Sequence, residues 1–394
     1  MSVSYRIGFF GFFASREILE EQEARGQPQV LNQGFNDQRV ALQWIQRYAE
    51  TFRGDPRHVT LSGESAGAIA CWWHMKGRSE NLFRRAIIQS FPPPPGGGQE
   101  IEDSQKRFDG IVAALGIPDD APAFRKVAAL QSLSAENLVS YWDGKISAPI
   151  LDPLWLAASP SKHVKVGSQE YFSDFPPWID DVIFGYNKDE VALWGASTWS
   201  GCTWEDVKGI IDTSGYTSST QQAIYESKMY TEATSPVEAL VNILTEGIWA
   251  IPSLSAAKVA AAGGKRLYFY IIEMPDPFPT PLQGYAYHSF GLPLLFYQPG
   301  PRKDEELART MEKMSEKYIQ YLYDEEPWEN FGLSERYMSW NGSKTGLQGS
   351  SRRTGRDIKF DNEEDRTNFS AGCYRVLGFP SIAREDSVVH ETLQ

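Results

Sequence analysis

The segment Gly63-Glu64-Ser65-Ala66-Gly67 sets a serine between two glycines. A serine hydroxyl attacks a carbonyl at neutral pH only when a base takes its proton and an acid holds that base. The pattern G-x-S-x-G, on a sharp turn from strand to helix, lifts such a hydroxyl clear of its surroundings. Both glycines are expected because a Cβ at either position would meet the neighbouring strand or helix. The Ala66 N–H, at the helix N-terminus, would face a developing oxyanion. Glu64 is expected as a buried electrostatic or hydrogen-bonding partner rather than a reactant. The string alone turns up by chance in about one chain in ten of this length, so its surroundings decide. His58-Val59-Thr60-Leu61-Ser62 reads as a buried strand entering the motif, and Ala66 to His74 as an apolar helix leaving it.

The base must come from five histidines. His58 begins the strand before Ser65 and, at about 3.3 Å per residue, lies roughly 20 Å away. His74 lies about 13 Å along the following helix. Neither reaches Ser65, which leaves His163, His288 and His390. Where a serine of this kind tops a sheet, the chain order is serine, acid, histidine. That order favours His288 or His390, with an acid before it.

The elements that must position these groups follow from hydrophobic spacing. Residues 3–13 read as a strand broken by Gly8 and Gly11, and residues 14–36 as a polar loop. Asp37 reads as the N-cap of a helix with Val40, Trp44, Tyr48 and Phe52 on one face, beside Ala41 and Ile45, ended by Gly54-Asp55-Pro56. Residues 86–90, 181–186 and 266–273 read as strands. Residues 101–145 read as helical with a break at 116–118, 236–262 as helical with a break at Pro252, and 304–323 as one long helix. FPPPPGGGQE (91–100) punctuates the chain, and the tail from about 341 is Gly- and Ser-rich, of uncertain order. Strands alternating with helices imply a parallel sheet covered on both faces.

Composition narrows the function classes. The 394 residues carry a net charge of −13, with 41% hydrophobic and 23% charged residues. That excludes wholesale disorder and argues against a nucleic-acid surface. No run approaches 18 consecutive apolar residues, as a transmembrane helix would need. MSVSYRIGFFGFF does not read as a signal peptide, because Arg6 interrupts the apolar run and no small-residue cleavage site follows. Three widely spaced cysteines form neither a disulfide framework nor a zinc pair.

Four segments, residues 4–12 (SYRIGFFGF), 34–56 (GFNDQRVALQWIQRYAETFRGDP), 59–67 (VTLSGESAG) and 81–90 (NLFRRAIIQS), together resemble the type-B carboxylesterase/cholinesterase-like family in sequence and spacing. VIFGYNKDE (182–190) resembles that family's acid-bearing turn, and AYHSFGLPLLF (286–296) its histidine loop. The resemblance implies an α/β-hydrolase fold, carboxylic-ester hydrolysis through an acyl-enzyme on Ser65, Glu190 as acid with Asp189 the alternative, and His288 as base. It also implies that Ser90 hydrogen-bonds the acid, and that a small-molecule ester is the partner. No metal or organic cofactor is implied. Expected domain bounds are 1–340, with helical insertions at 91–180 and 191–262 over the active site, and a C-terminal extension at 341–394. The chain departs from the family pattern in containing no His-Gly-Gly, the loop whose N–H groups supply most of the oxyanion hole. Phe91 and Gly291 stand where the family has Gly and Glu. The chain starts at a segment resembling the family's fourth strand, so the sheet is expected to lack the first strands and strand 59–63 to lack a neighbour on one side. The alternative function is a catalytically weak or inactive member serving as a binding or scaffold module.

Overall fold

A computed structural model describes residues 1–77, 81–93, 98–141, 149–152, 172, 175–349, 358–360 and 362–377. The chain divides into two compact units. One comprises residues 1–57, 76–82 and 96–163; the other comprises 58–75, 83–95 and 164–394.

The larger unit holds one six-stranded sheet: β1 Thr60–Glu64, β2 Arg85–Gln89, β3 Asp181–Asn187, β4 Arg266–Ile272, β5 Arg336–Trp340 and β6 Gly346–Gly349, adjacent in that order. The first five pair in parallel, and β5 with β6 antiparallel. Val, Ile, Phe and Tyr dominate β3 and β4, as strands covered on both faces require. On one face, Ile183, Tyr268, Tyr270 and Ile272 pack with Met311, Met314, Tyr318 and Tyr321 of the helix Glu305–Leu322. On the other, Phe269 meets Phe331, and the helix Ile251–Ala262 packs against β3 and β4. Among the described residues β1 pairs with β2 alone. Its residues are partly exposed where every residue of β2 and β3 is buried.

Buried Arg85 donates to the carbonyls of Tyr321 and Leu322 and to Asp324 Oδ1, which answers carbonyls left over at the end of the Glu305–Leu322 helix. At the other end, Asp304 caps the N–H groups of Glu306 and Leu307. The apolar run Pro236–Ala262 is the one described helix long and apolar enough to cross a membrane. Of its apolar window 94% is buried inside the protein, so it is a core helix. It widens into a π-turn at Glu246–Ala250 just before Pro252, which has no N–H to continue an α-ladder.

The smaller unit departs from the sequence expectation. Residues 3–13 form no strand. Gly8–Gly11 is a helical turn, closed locally by Gly11 N–H to the Ile7 carbonyl and Phe12 N–H to the Gly8 carbonyl. Ser15 caps a helix at Arg16–Ala24 where a loop was expected. The next helix starts early, at Gln33, and Asp37 is no cap: its carboxylate is taken by Arg6. The Val40, Trp44, Tyr48, Phe52 stripe is exposed, at 55%, 41%, 36% and 66%. The same helix buries Phe35, Gln38 and Leu42 instead. The unit's core joins Phe13 to Phe108, Ile111, Val112, Val127 and Leu130. Toward the C-terminus, the helix Glu363–Val376 belongs to the larger unit and buries Phe369, Cys373 and Tyr374, so order continues beyond residue 340.

One close approach limits what the sheet tolerates. Gly185 of β3 lies opposite Tyr270 of β4, and a Cβ on it would stand 2.4 Å from both the Tyr270 ring and its carbonyl oxygen. Gly185→Ala should therefore lower stability by about 1–3 kcal/mol, the usual range for overpacking. A urea midpoint unchanged from the parent chain would contradict this packing.

Candidate active site

β1 ends at Glu64 and the helix Ala66–Lys76 begins at once, so Ser65 alone makes the turn. It does so in the left-handed region, at φ +56°, where a residue with a Cβ is uncommon. The turn is tied down by Ser65 N–H to the Gln89 carbonyl of β2 at 3.0 Å. Gly63 is required for contact reasons: a Cβ there would stand 2.2 Å from the Gly67 carbonyl oxygen. Gly67 is different, since a Cβ on it meets nothing within 4 Å, which corrects the expectation that both glycines avoid a clash. The Ala66 N–H, at the helix start, has no backbone acceptor among the described residues, and Ala66 is exposed.

The acid comes from the turn after β3. Glu190 is fully buried. Its Oε1 accepts from the Asn187 N–H at 2.7 Å, and its Oε2 lies 2.5 Å from His288 Nδ1. Asp189 is buried too but does other work. Its N–H donates to the Ala286 carbonyl and its Oδ2 accepts from the Ala286 N–H, both at 2.9 Å. Asn187 Nδ2 donates to the Tyr287 carbonyl at 2.6 Å. Asn187 at the end of β3, with Asp189 and Glu190 just after it, thus holds the loop that carries His288 and fixes the edge that its ring presents to Glu190.

The other edge of the imidazole faces a second carboxylate. His288 Nε2 lies 3.3 Å from Glu64 Oε1, and Ser289 Oγ donates to that same oxygen at 2.8 Å. The Ser65 hydroxyl makes no hydrogen bond among the described residues. Burial pushes the Glu64 carboxyl up, and the neighbouring His288 and the Ser289 hydroxyl only partly offset it. For His288, burial pulls downward, but the charge and hydrogen bond of Glu190, with the charge of Glu64, outweigh it and raise the pKa above its ordinary value. Two indoles wall the ring: the Trp194 centroid lies 4.9 Å from it and that of Trp249 5.7 Å. Trp249 belongs to the π-turn, and its indole N–H donates to the Ser90 carbonyl at 3.1 Å.

Ser90 therefore enters the site through its backbone. Its side chain makes no hydrogen bond to Glu190 among the described residues, as had been expected of it. At φ +51° its N–H donates to the Gly185 carbonyl and its own carbonyl holds Trp249. His58 pairs with Asp324 Oδ2 at 2.9 Å, and His74 is buried in the Ala66–Lys76 helix. His163 and His390 lie outside the described residues. Sequence reasoning missed the clasp by Asn187, the indole wall and Ser289, because each depends on which loops meet. Among the described residues, no group of three or more His, Cys, Asp or Glu is placed to hold a metal ion.

The carboxylesterase family profile matches residues 1–354. The chain belongs to the carboxylesterase family. Among curated proteins it is 33% identical over 197 residues to an acetylcholinesterase of Gallus gallus, covering 50% of this chain and 22% of that one. It is 30% identical over 209 residues to cholinesterase 1 of Branchiostoma lanceolatum, covering 49% and 54%. The chain thus matches about half or less of the length of these relatives. Among solved structures, a PNB esterase superposes with a TM-score of 0.67 at 19% identity, over 90% of this chain and 73% of that one. A thermophilic PNB esterase does so with 0.67 at 17%, over 93% and 72%. The architecture is the α/β-hydrolase fold, as expected from the sequence.

The two elbow glycines supply a test. Gly63→Ala should abolish soluble folded protein, because the atom it meets is backbone. Gly67→Ala should be tolerated, with soluble yield and thermal midpoint close to the parent. Equal damage at both positions would contradict this geometry.

Proposed function

We propose that this carboxylesterase-family chain hydrolyses carboxylic esters through an acyl-enzyme on Ser65. The observation that carries the reading is the buried Glu190–His288 pair, set in the same compact unit as a serine held at φ +56° between a strand end and a helix start. Glu190 accepts from Nδ1–H, which leaves Nε2 as the basic nitrogen. For attack, Nε2 leaves Glu64 and takes the Ser65 proton; catalytic hydrogen bonds are often long or unmade before substrate binds. The serine oxygen adds to the ester carbonyl, and the Ala66 N–H donates to the resulting oxyanion. His288 then returns its proton to the leaving alkoxide, and water releases the acyl group by the same route. The relatives' names supply esters as the substrate class and no choice among esters for this chain.

The unmade Ser65–His288 hydrogen bond favours a second reading, a family member with weak or no turnover that binds ester-like ligands.

The experiment is labelling by a fluorophosphonate with the adduct mapped by mass spectrometry, beside hydrolysis of p-nitrophenyl esters. A single adduct on Ser65, with Ser65→Ala, His288→Ala and the double variant equally inactive, is the expected result, because such groups act as one unit. An adduct on another serine would contradict the assignment, and a protein that binds esters without adduct or turnover would establish the second reading. The pH profile carries a sign. His288 must be neutral to act as base and its pKa is raised above 6.5, so kcat/KM should fall as pH drops through a midpoint above 6.5. A midpoint at or below that value would contradict the two-carboxylate setting.

A further inference from the structure

Two observations around His288 reach beyond the proposed reaction. The first is that the ring is approached by carboxylates at both nitrogens, Glu190 at Nδ1 and Glu64 at Nε2. The second is Ser289, which holds φ +67°, a region that serine rarely adopts, and points its hydroxyl at Glu64 Oε1. Glycine would take that backbone without strain. What serine adds there is one donor, aimed at the same oxygen that faces Nε2.

We propose that Ser289 is a positioning residue: its hydroxyl fixes Glu64 against His288 Nε2, so that Glu64 and Ser65 compete for the edge of the ring that accepts the proton. This rests on the proposed role of His288 as the base. Glu64 Oε1 meets two polar groups, the Ser289 hydroxyl and the Nε2 edge, which suits an ionised carboxylate facing a protonated ring. In that state His288 is cationic, bridged between two anions, and cannot act as a base. When the ring loses its proton the attraction to Glu64 falls, and Nε2 is free to turn to Ser65. The charged and titratable groups around the cluster are Glu190 on the turn after β3, Glu64 on the elbow, and the buried Tyr270 phenol of β4, which feels both carboxylates. Trp194 and Trp249 close the ring's surroundings without adding charge.

The direction of the effect follows. The hydroxyl favours the ionised form of Glu64, and ionised Glu64 favours protonated His288. Removing the hydroxyl therefore lets Glu64 pick up a proton more readily, weakens its hold on the ring, and lowers the pH at which His288 titrates. Two substitutions separate this from a structural role. Ser289→Gly deletes the hydroxyl and relieves the backbone; Ser289→Ala deletes the hydroxyl and keeps the strain. If the hydroxyl is what matters, both move His288 alike while their thermal midpoints diverge.

The test is to follow the His288 ring protons by NMR against pH in the full chain, with His288→Gln to assign the signal. Glu64→Gln should lower the midpoint by about one unit or more, the usual effect of losing one nearby opposite charge. Ser289→Gly and Ser289→Ala should lower it in the same direction, by similar amounts, and by less than Glu64→Gln. The acid limb of kcat/KM should move down with it. A midpoint that stays put in both Ser289 variants, or moves in one only, overturns the proposal. The NMR arm needs no turnover. A shifted midpoint in a chain that hydrolyses no ester would reject the esterase reading and leave the Ser289–Glu64–His288 clamp standing.

Discussion

A carboxylate removed from water is stable as an anion only when its oxygens find donors, and Glu190 is removed completely. Both oxygens are answered: one by a backbone N–H three residues earlier, the other by His288 Nδ1. Much of the unit's construction follows from supplying those two donors. β3 and β4 run side by side in register over seven pairs, from Asp181 with Arg266 to Asn187 with Ile272, so the turns that follow them leave the sheet at the same level. The loop after β4 is then held to the turn after β3 by Asn187 and Asp189. Remove the imidazole and Glu190 keeps one donor for two oxygens in a dry place, which is the costly case.

Three of the residues held in the left-handed region belong to the site. Ser65, Ser90 and Ser289 each hold φ between +51° and +67°. Each has a distinct consequence. Ser65 turns the chain from strand to helix within one residue. Ser90 turns its carbonyl to the Trp249 indole and thereby sets one wall against His288. Ser289 brings a hydroxyl to Glu64. Left-handed serines are unfavourable by about 1–3 kcal/mol each, and the surrounding parallel sheet, with its interior strands fully buried, holds them in place.

The sequence was most legible where chemistry forces a residue type. An elbow between a β-branched run and an apolar helix located Ser65, and the resemblance of two short segments pointed to Glu190 and His288, which the fold brings into contact. Long apolar runs gave β3 and β4 almost to the residue. Legibility failed where tertiary pairing decides. RYMSW became a strand because β4 offered an edge to pair with, and GLQG because β5 then offered the next, which their composition does not announce. SYRIGFFGF has the alternation of a strand but closes its own hydrogen bonds in a helical turn. A helical stripe such as Val40, Trp44, Tyr48 and Phe52 shows an apolar face and not what covers it. Ser289 was invisible because nothing local marks a serine that reaches a carboxylate 225 residues away.

The central claim is that the Glu190–His288 pair turns the Ser65 hydroxyl into a nucleophile that is acylated by esters. Rapid mixing of the purified chain with a p-nitrophenyl ester, followed by acid quench and peptide mass analysis, tests it most directly. The account predicts a burst of p-nitrophenol, with the acyl group found on the peptide containing Ser65 and the burst rate greatly reduced in Glu190→Gln. Hydrolysis that proceeds without an acylated Ser65 peptide, or a burst that Glu190→Gln leaves unchanged, would contradict it.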